Sequence, residues 1–153
     1  MNRRRLGGAL VGLALIAVGL VALDRLCPPN LARLRAAGAE IDDRQGRVIA
    51  FVPTADGMWR LPASADAVSP LFLDLLVKVE DHRFYRHLGV DPLAVARGAW
   101  QWARAGHVVS GASTLTMQVA RLLEPRPRGF RAKLIEAVRA AQIEARFSKR
   151  EIL

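Results

Sequence analysis

Hydrophobic and polar positions divide the chain into three unlike stretches. Residues 6–23 (LGGALVGLALIAVGLVAL) hold no charge over 18 positions. As a helix they would span about 27 Å, close to the hydrocarbon thickness of a bilayer. Arg3, Arg4 and Arg5 precede them, so the positive-inside rule keeps residues 1–5 cytoplasmic and sends the remainder of the chain across the membrane. No small-x-small cleavage pattern comes after the stretch, and Asp24-Arg25-Leu26 stands before Cys27. The pattern therefore predicts an uncleaved single transmembrane helix rather than a cleaved leader or lipoprotein site.

Residues 24–66 read as a stem and a small β region. Cys27-Pro28-Pro29-Asn30 stops the first helix. Glu40 to Val52 predicts a hairpin turning near Gln45-Gly46, and Ala55-Asp56-Gly57 a second turn leading to a strand around Met58-Trp59-Arg60-Leu61. From residue 67 to 153 the period becomes helical. Ser69-Pro70 predicts a cap and first turn, followed by Phe72, Leu75, Leu76 and Val79 as an apolar stripe. Asp91-Pro92 repeats that signal and opens a helix to about Gly106. Its Trp100 and Trp102 lie about 200° apart around the axis, so this helix is either core on two sides or dips into a bilayer interface.

Thr114 then begins a helix with Gln118 and Arg121 on one polar edge, and Leu115, Val119 and Leu122 on an adjacent side. A long helix from Phe130 to Phe147 comes next, with Leu134, Val138, Ala141 and Ala145 as its expected inner stripe. Lys133, Glu136 and Arg139 would then form a salt-bridged solvent face. Ser148 is placed to cap a further helix of which one turn is present, and the chain's end at Ile152-Leu153 reads as a truncated domain. The expected fold is mainly α, after a transmembrane helix and a small β linker.

Charge narrows the partners. The 153 residues carry a formal net charge of +9, which favours an anionic partner. An exported domain makes nucleic acid a poor fit, whereas anionic lipid or a diphosphate suits it. The single Cys27 excludes an intrachain disulfide.

Candidate chemistry gathers at residues 79–92. Glu80 falls on the flank shared with Leu73, Leu76 and Val77, where partial desolvation would raise its pKa toward the range useful for proton transfer. A solvated helix end is the plainer reading of the same residues. Ser110 to Thr114 is rich in small residues and leads into a helix N-terminus, a ready anion site.

Four segments in order resemble the peptidoglycan glycosyltransferases, glycosyltransferase family 51. Glu80-Asp81 with Phe84, His87 and Gly89 is similar to their first motif, and Ser110 to Gln118 to their second. Lys133-Leu134-Ile135-Glu136 is similar to the third, and Ser148 to Leu153 to the start of the fourth. The resemblance implies a lysozyme-like helical domain polymerising lipid II on the outer side of the cytoplasmic membrane. It makes Glu80 the general base that deprotonates the acceptor 4-hydroxyl, with inversion at the anomeric carbon. Glu136 becomes the second essential carboxylate, associated with the diphosphate and sometimes with a divalent cation (Mg2+ or Mn2+). Arg121 and Lys133 would bind phosphate, and Ser113, Thr114 and Gln118 the donor. Asp81, Phe84, His87 and Gly89 would support the base. Implied partners are lipid II, the growing glycan strand, membrane lipids and other cell-wall synthesis proteins.

The chain departs from the pattern at Ala112, Met117, Arg121 and Ala132, where glycine, glutamine, lysine and arginine are usual. A lysozyme-type lytic hydrolase, and a catalytically silent membrane-anchored fragment that binds lipid II, are the rival readings.

Overall fold

Asp43 organises the turn of a hairpin. Its carboxylate accepts the backbone N–H groups of Gln45 and Arg47 at 2.8 and 2.9 Å and the Arg47 side chain at 2.7 Å. Gly46 takes the positive φ (74°) that the turn requires. The hairpin that results pairs β1 (Ala39–Asp42) with β2 (Val48–Val52), antiparallel, Ala39 opposite Val52 and Ile41 opposite Ala50, with an irregularity between Ile41 and Asp42. Every residue of both strands is exposed.

The structure is a computed structural model that describes residues 18–19, 21–61, 63–107 and 111–153. Most of the expected anchor, residues 6–23, lies outside them, as does Ser110. Residues 18–19 and 21–26 are helical, and among the described residues no helix is long and apolar enough to cross a membrane. The small α1 (Ala32–Arg35) precedes the hairpin.

The expected strand at 58–61 is not one. Thr54 N–H donates to the Met58 carbonyl at 3.0 Å, and Asp56 holds the Arg60 fork at 2.9 and 2.8 Å. Side-chain bonds close the turn on itself, leaving Trp59 to pack edge-on against Phe51 at 6.3 Å.

The helices beyond are α2 (Pro70–Glu80), α3 (Pro92–Ala105), α4 (Leu115–Leu123), α5 (Phe130–Glu144) and α6 (Lys149–Ile152), with short 3-10 turns at Ala65–Ala67 and Phe84–Arg86. Pro70 starts α2 as expected, but the Ser69 hydroxyl makes no capping bond. The expected stripe of α2 faces outward, with Phe72, Leu75 and Val79 exposed and Val77 buried. The cause is Asp81, which comes directly after α2 and is drawn inward by His87 and the Leu115 N–H. Val77 and Leu73 share Asp81's side of the helix, one and two turns before it. A polar anchor decided which apolar face turned in.

Asp91 caps α3 by accepting from Leu93 N–H at 2.9 Å, and Gly106 closes it at φ 70°. No residue of α3 is buried, so α3 is not a core helix. Thr114 caps α4 through Met117 N–H, and α4 packs along α5. Leu115, Met117, Ala120 and Leu123 supply the buried side of α4, whereas Leu122, expected beside Leu115, is exposed. Leu115, Ala120 and Leu123 join Val77, Phe84, Ile143 and Ile152 in the core.

The expected face of α5 is reversed. Leu134 and Val138 are exposed, and Ala132, Glu136, Ala140, Gln142 and Ile143 are buried. Ala141 and Ala145 are exposed as well. Ala140 turns in because Gly89 presses its backbone against it: a Cβ on Gly89 would lie 2.6 Å from the Ala140 carbonyl carbon. The helix also stops at Glu144 rather than Phe147. Ser148 caps α6 in a full capping box with Glu151, as its position predicts.

Candidate active site

The junction of α2, α4 and α5 gathers nearly all the candidate residues. Glu80 ends α2 and is exposed rather than desolvated. Its Oε2 accepts from Gln118 Nε2 of α4 at 2.8 Å. One turn on, Arg121 faces α5, its Nε 3.9 Å from Glu136 Oε1. Gln118 and Arg121 thus reach two carboxylates on different helices.

Glu136 is only 6% exposed, and a buried carboxylate needs compensation. Lys133 provides it from one turn earlier on α5, Nζ 3.3 Å from Glu136 Oε2, while also donating to Ser113 Oγ. Lys133 and Glu136 are therefore part of a built cluster, not a solvated face. The 3.3 and 3.9 Å separations are loose for charge-assisted bonds, so both cations keep capacity for an incoming anion.

Beneath exposed Glu80 lies a buried support. Both Asp81 carboxylate oxygens stand 3.0 Å from His87 Nε2, and Oδ2 also accepts the Leu115 N–H at 3.0 Å. Asp81 thereby ties the end of α2 to the first residue of α4. Among the described residues, buried His87 Nδ1 meets no partner, and Asp81 holds the ring at its other nitrogen. Thr114 Oγ1 donates to the Gly89 carbonyl and accepts from Met117 N–H. Phe84 is fully buried, 6.3 Å from the His87 ring. Asp91 meets Arg83 at 3.2 Å. Burial pushes the Asp91 carboxyl up, but the Ala94 and Leu93 N–H groups and the Arg83 charge outweigh it and hold it below the ordinary range.

Sequence reading missed Glu144, the centre of a second, part-buried set, and gave Lys149 no role beyond its place in the segment similar to the fourth motif. Glu144 Oε1 accepts from Thr116 Oγ1 and Lys149 Nζ, each at 2.6 Å. Lys149 also donates to the His87 carbonyl at 2.8 Å and lies 4.3 Å above the Phe84 ring. The available signal was spacing: Glu136, Ala140 and Glu144 recur every four residues on one face of α5.

Glu136 is the carboxylate that would hold a divalent cation together with the oxygens of a substrate diphosphate. Among the described residues no three His, Cys, Asp or Glu side chains converge as ligands. Mg2+ or Mn2+ would therefore take its other oxygen ligands from that diphosphate.

A family profile described as transglycosylase matches residues 45–153. That is more than half of the chain, and the chain belongs to the transglycosylase family. Penicillin-binding protein 1C of Escherichia coli (strain K12) is 54% identical over 130 residues, covering 85% of this chain and 17% of that protein. Penicillin-binding protein 1A of Aquifex aeolicus (strain VF5) is 34% identical over 116 residues, 75% of this chain and 16% of that protein. Penicillin-binding protein 1A of Escherichia coli (strain K12) is 40% identical over 96 residues, 61% and 11% respectively. The chain spans less than a fifth of the length of these relatives.

Proposed function

We propose that this chain is a peptidoglycan glycosyltransferase, polymerising lipid II with inversion at the anomeric carbon. The observation that carries the reading is the pair of partnered carboxylates: exposed Glu80 on Gln118, and buried Glu136 between Lys133 and Arg121. Glu80 takes the proton of the acceptor sugar's 4-hydroxyl. The hydroxyl oxygen bonds to the anomeric carbon of the lipid-linked donor as the bond from that carbon to the diphosphate oxygen breaks. Negative charge grows on the departing lipid diphosphate, and Arg121 and Lys133 offset it. Asp81, Phe84, His87 and Gly89 hold Glu80 and α4 in place, and Ser113 and Gln118 line the donor side; Thr114, expected there too, is buried and caps α4 instead.

The proposal includes the arrangement in the membrane. Residues 1–5 stay in the cytoplasm, 6–23 form the anchor, 24–66 the stem and β region, and 67–153 the lysozyme-like catalytic portion on the outer face. Exposed Leu93 and Trp100, on one side of α3, support contact with the bilayer interface, where indole rings settle. A lytic hydrolase would have no diphosphate to stabilise, and the paired Lys133 and Arg121 favour the polymerase. Lipid II supplied to vesicle-reconstituted protein is expected to yield glycan strands, and fragments released from finished peptidoglycan without lipid II consumption would refute the proposal.

A further inference from the structure

The stem is fastened to the helices that carry the site. Asp24 accepts the Arg146 fork at 2.6 and 2.7 Å. The Cys27 carbonyl accepts from Arg139 Nη1 at 2.5 Å and Gln142 Nε2 at 3.1 Å. Asn30 N–H donates to Glu124 Oε1 at 2.6 Å, and Arg33 Nη1 to the Leu122 carbonyl at 3.1 Å. These bonds join residues 89 to 122 positions apart. Their partners lie at the C-terminal end of α4, along the second half of α5 and just beyond both helices. Arg139 is one turn from Glu136, about 4.5 Å along the axis.

Single exposed ion pairs add little stability, so the value of this set is geometric. The bonds from Asp24, Cys27, Asn30 and Arg33 fix where the chain leaves the apolar N-terminal segment relative to α5. Beside them Leu134, Ile135 and Val138 line, with Leu23 and Cys27, a cleft of about 320 Å³. The outward face of α5 is thus apolar just where the stem meets it, continuous with the end of the N-terminal helix.

We propose that Asp24, Arg139 and Arg146 are positioning residues: they strap α4 and α5 to the membrane-side segment and so set the height and tilt of the site above the bilayer. Glu80 and the Lys133–Glu136 pair are thereby held where a lipid-linked diphosphate emerges from the headgroups. The inference rests on the glycosyltransferase reading of that same site.

The test uses the full chain with Asp24→Lys, Arg146→Glu and the double exchange, spin-labelled at Cys27, the sole cysteine. The label is expected to be restrained in the parent, mobile in each single variant and restrained again in the double. Lipid II turnover in vesicles should fall about tenfold in the singles and recover to within about twofold in the double, as small misplacements of reacting groups do. In detergent micelles, which offer no bilayer plane, the singles should match the parent. Equal loss in vesicles and micelles would mean a merely structural role and overturn the proposal, as would undiminished turnover in vesicles. Unchanged label mobility would sink the strap itself. A label freed in the singles and restrained again in the double, with no polymerisation by the parent, would instead refute the glycosyltransferase reading and leave the strap standing.

Discussion

Gly89→Ala tests the packing on which the site depends. At φ 88° an L side chain is strained, by about 1–2 kcal/mol. The added Cβ would also lie 2.6 and 2.7 Å from the Ala140 carbonyl carbon and oxygen and 2.8 Å from the Ala141 nitrogen. These are backbone atoms, so no rotamer change relieves the clash, and overpacking of this kind costs about 1–3 kcal/mol. Together the loss is about 2–5 kcal/mol, a fall in melting temperature of roughly 10 °C for a domain of this size. Gly106→Ala is the matched control, because its φ is 70° but nothing lies within 4 Å of the new Cβ. Thermal unfolding followed by far-ultraviolet circular dichroism compares the two. Because α5 must move to admit the methyl, Gly89→Ala should also lose turnover. Equal melting temperatures for the two variants would refute the claim that Gly89 is there for close approach rather than for its dihedral angle.

Other perturbations separate chemistry from support. Glu80→Gln should abolish lipid II polymerisation, by at least about 100-fold, with an unchanged melting temperature because Glu80 is exposed; persisting polymerisation would remove Glu80 as the base. Asp81→Ala strands buried His87 and the Leu115 N–H, and should cost about 3–5 kcal/mol of stability, read in urea unfolding. Acid should weaken the fold through Glu124: burial pushes its carboxyl up, yet the Asn30 N–H, Arg126 and Arg139 bring it below its ordinary 4.5. A depressed folded pKa means this stabilisation is present above pH 4.5 and lost as pH falls below it. Glu124→Gln should flatten that part of the acid-unfolding curve, and an unaltered curve would count against the linkage.

Local signals were the legible ones. Asp91-Pro92, Gly106, Thr114, Gln45-Gly46 and the Ser148 capping box act within a few residues, and each predicted its turn or cap where the structure has it. Helix faces were less legible, because apolar periodicity finds a stripe without saying which side meets the core. On α2 and α5 the deciding contacts came from far along the chain: Asp81 with Leu115, and Gly89 with Ala140. Both tether a polar or backbone group, which a count of apolar residues ignores. The same blindness made Lys133 and Glu136 look like a solvent face from spacing alone. Only their resemblance to a family motif singled them out; Lys149 lay in the segment similar to the fourth motif, whereas Glu144 lay in none, and its partners are a lone threonine and Lys149.

The exposure of the aromatic rings on the hairpin side and on α3 has an optical consequence. All three tryptophans, Trp59, Trp100 and Trp102, are more than half exposed. Their emission in detergent-free buffer should already lie toward the red, and denaturation has little further to move it. Intrinsic fluorescence is therefore a poor gauge of folding for this protein and a good one of its surroundings. A blue shift on adding vesicles would record the surface leaving water, with no label attached.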